Sequence, residues 1–232
     1  MIPYIIINGV SSKNVNGLLI QSLPPISKPM IRTSIQEIDG RDGDIVTTLG
    51  YAAYTKSLSI GLKGDFNIDD VIAYFNTSGR VTFSNEIDKY YNFAIYDAID
   101  FNRLLRFRTA NVNLHVQPFK YSLDEPPIVK TGAQTIPVRN TGNIYSRPKL
   151  TITGANTITV YIGNTQIFNI ELSAAGETII IDNMNATDGQ GNYLNRRVTG
   201  DYNKFVLATG VNDLRITGDV TSVKIERYSR WI

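Results

Sequence analysis

The chain has no cysteine and a single histidine, His115, in 232 residues. The first absence excludes disulfides, thiolate metal sites and a cysteine nucleophile. The second excludes any metal site that needs two imidazoles from one chain. A dominant charge is missing as well. Lys and Arg number 23 against 21 Asp and Glu, a net charge of +2, so nothing global attracts nucleic acid or a membrane surface. Long apolar runs are lacking, and no segment approaches the roughly 20 residues that span a bilayer. The opening MIPYIIINGV has no basic start, carries Pro3 and breaks at Asn8-Gly9, unlike a signal peptide. The expectation is a soluble protein made in the cytoplasm. No glycine-rich phosphate loop follows a strand and opens a helix.

What is present is a β-rich pattern. Apolar residues make up 42%, ordinary for a globular chain, and the length allows two small domains or one large β-domain. Short runs with strand character cover residues 4–7, 18–20, 30–38 and 55–62, with Leu58, Ile60 and Leu62 on one face. One helix is expected after Asn67, an N-cap residue, with Asp69 and Asp70 in its first turn. There Ile68, Val71, Ile72 and Phe75 share a side that seeks a sheet to cover, and Gly79 ends it. Strands follow at 81–83, 91–95 and 106–116, the last with Val112, Leu114 and Val116 facing one way and Asn113, His115 and Gln117 the other.

The double proline at Pro126-Pro127 fixes an extended, donor-poor stretch and sets a domain boundary near 128, giving domains 1–128 and 129–232. Beyond it, strands at 157–162, 166–172, 178–182, 204–207, 214–217 and 222–227 alternate with glycine turns, the pattern of a sandwich or barrel. LTITG at 150–154 and LRITG at 214–218 echo each other, and the alternation slips phase after each glycine. Both are expected to be hairpins rather than marks of a duplicated domain.

Chemistry is sparse. His115 sits mid-strand with no serine on a glycine elbow. Glu37, Asp39, Asp42 and Asp44 are candidate paired carboxylates, but with Arg32 and Arg41 beside them they read as a solvated turn or a subunit contact. The loop 182–192 fails the calcium-loop spacing and reads as a long hairpin turn. Arg103, Arg106 and Arg108 cluster near Tyr90, Tyr91, Tyr96, Phe101 and Phe107. Arginine with aromatics suits a single strand of nucleic acid or a protein interface, and the small net charge favours the interface. No catalytic residue, metal or cofactor is expected.

Three stretches, in this order, resemble the distal tail proteins of siphophages, chiefly those infecting Gram-positive bacteria. They are the loop DGRDG at 39–43, the strand block closing on QPFKY at 117–121, and the tail GVNDLRITG at 210–218 running on to Arg230-Trp231. The resemblance spans nearly the whole chain. It implies a mainly β protein with an N-terminal, sandwich-like ring domain carrying one α-helix and a C-terminal, galectin-like or carbohydrate-module-like β-sandwich. It implies a virion protein forming a homohexameric ring that joins the tail tube protein to tail-tip, lysin-type proteins. The ring would also carry receptor-binding or baseplate proteins and pass DNA through its channel without specific binding. Asp39, Arg41, Asp42, Asp44, Phe101, Arg103, Arg106 and Arg108 are the expected inter-subunit contacts, chosen for their density of charge and aromatics. The alternative is an adhesion module that binds host cell-wall polysaccharide through the C-terminal sandwich, with Tyr145, Tyr161, Tyr193, Tyr202, Tyr228 and Trp231 as its aromatics.

Overall fold

In the computed structural model, which describes residues 2–232, strands dominate both halves of the chain. The first position of the expected ring domain, Met1, lies outside the described residues. Two compact units form, one reaching Leu123 and including Ile232, the other Asp124–Trp231. The division falls a few residues before the double proline, for a local reason. The Glu125 carboxylate accepts the Ser229 amide at 2.8 Å and pairs with Arg227 at 3.5 Å, and Arg227 also donates to the Pro126 carbonyl. Ile128 then packs on the second core.

The first unit contains β1 (Ile5–Ile7), β2 (Val10–Ser11), β3 (Leu18–Ser22), β4 (Ile31–Gln36), β5 (Ile45–Tyr51), β6 (Tyr54–Leu62), β7 (Ser78–Phe83), β8 (Lys89–Ala94) and β9 (Thr109–Ser122). Seven of these strands make one antiparallel sheet in the order β2-β1-β7-β8-β9-β6-β3. Alternation assigns its faces. Leu58, Ile60, Val112, Leu114 and Val116 point into one core with Ile5, Val81, Phe83 and Phe93, and the residues between them face outward. Helix α1 (Ile68–Phe75) starts as expected, with Asn67 Oδ1 accepting the Asp69 amide at 3.0 Å, and it buries Val71, Tyr74 and Phe75. It stops at Asn76, and Gly79 belongs to β7.

A second helix corrects the expectation of one. Residues Phe101–Phe107 form α2, where the sequence suggested a strand from 106. Asp100 caps it by accepting the Arg103 amide at 2.8 Å, and Arg108 closes it in the left-handed region at φ 58. Strand β9 therefore begins at Thr109 and runs through Pro118 to Ser122. Proline has no N–H to give a ladder, and the pairing with β8 slips where Pro118 sits, jumping from Phe93↔Val116 to Tyr91↔Lys120.

The second unit contains β10 (Ile128–Thr131), β11 (Gln134–Asn140), β12 (Lys149–Ile162), β13 (Thr165–Asp182), β14 (Asn185–Thr187), β15 (Val198–Gly200) and β16 (Gly210–Glu226). Together they make one antiparallel sheet in which three strands are long. β12 lies between β13 and β16, the first part of β16 pairs with β11 and its last part with β10, and the first part of β13 pairs with β15 and its last part with β14. One core lies within, including Ile152, Val160, Phe168, Ile170, Ile181, Leu214, Ile216 and Ile225. Pro137 lies in β11, which has β16 as its neighbour, and an edge is where a strand tolerates proline.

The two expected hairpins at the repeated motifs are corrected. Each strand carries on past its glycine, and the phase slip seen in sequence is a bulge in the ladder between β12 and β16. The register between β12 and β16 jumps between Ala155↔Asp219 and Ile158↔Gly218. Gly218 has φ +104, and a Cβ there would meet the Thr157 carbonyl oxygen at 2.2 Å. At Gly154 it would meet the Asp219 carbonyl oxygen at 2.2 Å. The expected strand at 204–207 is also corrected. It holds the end of a short 3-10 turn, Tyr202–Lys204, and an isolated bridge from Leu207 to Ser146. Phe205 and Leu207 are buried at strand spacing without a strand ladder.

Candidate functional site

Among the described residues, strands β4 and β5 pair only with each other. They make a two-stranded ribbon in register from Ile31↔Tyr51 to Gln36↔Ile45. Alternation should give such a ribbon a covered face, yet its residues are exposed or half-buried throughout. Ile35 is 59% exposed, Val46 59% and Leu49 56%. An isolated hairpin is marginal in water at best and needs a third strand or a packed face.

The ribbon's tip is the loop 37–44, and Asp39, Arg41, Asp42 and Asp44 are all exposed there. Four carboxylates against one guanidinium give this loop a net charge of −3. The other expected contact residues lie on α2 and its cap. Leu104 anchors that helix in the core and Phe101 packs beside it half-buried. Arg103, Arg106 and Arg108 are exposed, as are Leu105 and Phe107. Arg106 lies over the Phe107 ring and Arg108 over Phe66. With three arginines and no acid, residues 101–108 carry +3. Among the described residues, no ion pair joins the tip to α2 within one chain.

Sequence reasoning missed what holds the ribbon's base. Lys56 shares the inward parity of Leu58, Ile60 and Leu62, which was the available signal, and it is only 3% exposed. Its ammonium donates to the Pro25 carbonyl at 2.8 Å, in the segment leading to β4. It also lies 5.0 Å from the centroid of the Tyr91 ring, a favourable cation–π position. Tyr54 donates to the Ser27 carbonyl and the Ala52 amide to Met30. Glu86 completes the cluster. It pairs with Lys120 and accepts the Tyr91 hydroxyl at 3.0 Å. Burial holds the Lys56 ammonium below the usual lysine range, with Glu86 drawing it back up and Lys120 pushing it further down. The ribbon thus has a fixed root and an uncovered blade.

The remaining candidates find little chemistry around them. His115 is half-buried on the outward face of β9 with its ring 5.4 Å from Tyr96. The loop after β13 is a turn organised by Asp188, whose carboxylate accepts from the Asn192 side chain and from the amides of Gln190 and Asn192. Those donors hold Asp188 below the usual carboxylate range and occupy the oxygens a cation would need. Among the described residues, no three His, Asp or Glu converge to hold a metal ion. A cleft of about 630 Å³ in the second unit is lined by Ile162, Ile167, Lys204, Val206 and Asn212 among others, with no carboxylate. Of the aromatics considered for sugar binding, Tyr202 packs on Phe168 and Tyr161 lies beneath Arg215. Tyr193 and Tyr145 are exposed.

No family model matches the sequence, and no curated protein matches it. Solved structures do. The Dit (gp 19.1) protein of SPP1, described as a paradigm of the hub adsorption apparatus in phages infecting Gram-positive bacteria, superposes with a TM-score of 0.69 at 19% identity. The match covers 97% of this chain and 99% of that one. The baseplate of phage P2, in its activated conformation with Ca, matches at a TM-score of 0.49 and 10% identity over 98% of each chain. The first likeness shows that this chain has the Dit fold from end to end.

Proposed function

We propose that this chain is a non-catalytic structural protein of a phage tail, a hub that assembles with its own copies into a hexameric ring at the tail's distal end. The fold likeness supports this reading, but a fold by itself does not fix a function. The observation in this chain that carries it is the β4–β5 ribbon. Seven large apolar residues between Ile26 and Leu49 are exposed on or beside it, and exposed apolar side chains gathered on one element mark an interaction surface. Unpaired ribbon edges invite aggregation, and a closed ring uses them instead.

In this reading residues 1–128 form the ring and 129–232 the outward sandwich. Asp39, Arg41, Asp42, Asp44, Phe101, Arg103, Arg106 and Arg108 lie in or near the subunit contacts. The ring joins the tail tube protein to tip or baseplate proteins, including a lysin-type component, and carries receptor-binding proteins. DNA passes through its hole, and a net charge of only +2 per chain suits a conduit that must not grip phosphate. Size-exclusion chromatography with light scattering tests the proposal. A particle of six times the 25.8 kDa chain mass supports it. A monomer that binds cell-wall polysaccharide would support the adhesion-module alternative instead.

A further inference from the structure

We propose that the contact between copies is head-to-tail, with the β4–β5 ribbon of one chain lying against α2 of the next and its acidic tip over Arg103, Arg106 and Arg108. This rests on the reading that the chain assembles with itself, and it adds which surface meets which.

The ribbon needs a cover that its own chain does not supply. Ile35, Val46 and Leu49 are each more than half exposed, so the ladder gains order only if something excludes water from at least one face. Helix α2 offers a matching surface. Leu105 and Phe107 are exposed at 40% and 62%, and the helix is a firm platform. Leu104 is fully buried beneath it, Asp100 caps it, and its C-cap residue Arg108 leads straight into β9. Apolar area on the ribbon thus has apolar area to meet.

Charge sets the pairing and its direction. The tip carries −3 and α2 with its cap residue carries +3. The four tip carboxylates and three helix guanidiniums have no ion-pair partner among the described residues, so both sets are free for a neighbour. Tip against tip, or helix against helix, would set like charges face to face, which is costly at an interface. Tip against helix joins two different patches of the same chain. Such heterologous contacts repeat until they close into a ring or run on as a fibre. A partner other than a second copy needs no matching of this chain's own two patches. The opposite signs of the two patches fit them to each other.

Charge swapping tests the pairing. The tip variant is Asp39→Lys/Asp42→Lys, and the helix variant is Arg103→Glu/Arg106→Glu. All four side chains are exposed, so the monomer should keep its fold, which far-ultraviolet circular dichroism and a urea midpoint verify. Self-association is read by mass photometry and analytical ultracentrifugation at low and moderate salt. Each variant alone should assemble at least ~10-fold more weakly than the unmodified chain. Assembly should return when all four changes share one chain, and when the two variants are mixed in equal amounts so that opposite patches meet in alternation. Assembly that withstands either variant, or that fails to return in the fourfold chain, overturns the pairing while leaving self-assembly intact. An unmodified chain that stays single at every concentration overturns both.

Discussion

Replacing Glu86 with Gln isolates the energetics of the ribbon's root. In the native fold the Glu86 carboxylate serves Lys120, accepts the Tyr91 hydroxyl at 3.0 Å, and draws the buried Lys56 toward its charged form. The Glu86 and Lys120 side chains are each 11% exposed. Gln keeps the shape and one acceptor oxygen but removes the charge, leaving two ammonium groups in one poorly solvated site. Losing one partner of a buried pair costs ~3–5 kcal/mol, and the residual exposure places Glu86→Gln near ~3 kcal/mol. At a urea slope of ~2 kcal/mol/M this moves the midpoint of the first unit down by about 1.5 M. Hydrogen exchange followed by mass spectrometry assigns the loss. Protection should fall in β6, β8 and β9 and in the segment 23–30, and hold in β12, β13 and β16. Adding Lys120→Met should recover part of the loss, because it removes the ammonium that Glu86 paired with and leaves Lys56 alone on the Pro25 carbonyl. A single variant within about 0.5 kcal/mol of wild type would show that the cluster is solvated and holds nothing in place.

Other outcomes follow from the same geometry. Gly218→Ala should cost the second unit about 3 kcal/mol in urea unfolding, since it forces φ +104 on alanine and drives its Cβ into the Thr157 carbonyl. A cost under 1 kcal/mol would contradict the tight backbone approach at the bulge. Burial raises the phenols of Tyr54, Tyr74, Tyr91 and Tyr202 above their ordinary value of 10.0. The unfolded chain therefore ionises first, and stability should fall as pH climbs past about 10. Lys56 works the opposite way, its depressed value adding stability up to 10.5, so thermal melts should reach their best near pH 9–10 and drop by pH 11. Melts that are flat across that window would refute the burial of these phenols. Ile35→Asn/Val46→Asn should leave the monomer's urea midpoint within about 0.5 kcal/mol of wild type, because the sites are exposed, yet weaken self-association by light scattering.

The legible parts of this fold are those where local chemistry and periodicity agree. Asn67, two following acids and apolar residues at 3.6 spacing point to α1, and alternation in 55–62 and 109–116 sorts the sheet's two faces. Helix α2 escaped because FNRLLRF has aromatics and arginines at no clear period. Its only local mark was Asp100 as a cap. The long strands of the second unit read as pairs of short ones, since a bulge glycine and a turn glycine are alike in sequence and only the ladder partner separates them. Phe205 and Leu207 are spaced like a strand because any extended segment over a core alternates. Lys56 was hidden by its type, though its parity with Leu58 placed it inside. The ribbon's two uncovered faces were not readable at all. Ile31, Thr33 and Ile35 alternate as they would in a half-buried strand, and cover is a property of what surrounds them. The contact residues 39–44 and 101–108 were picked out by density of charge. That the tip is net acidic and the helix net basic was countable, but that both are exposed and unpaired within one chain required the fold.

Native mass spectrometry of the purified, unmodified chain tests the central claim most directly. Self-assembly through the first unit predicts a dominant species of six copies of the 25.8 kDa chain, seen as annuli by negative-stain electron microscopy. A spectrum holding the single chain alone, across the concentrations at which the protein stays in solution, contradicts it.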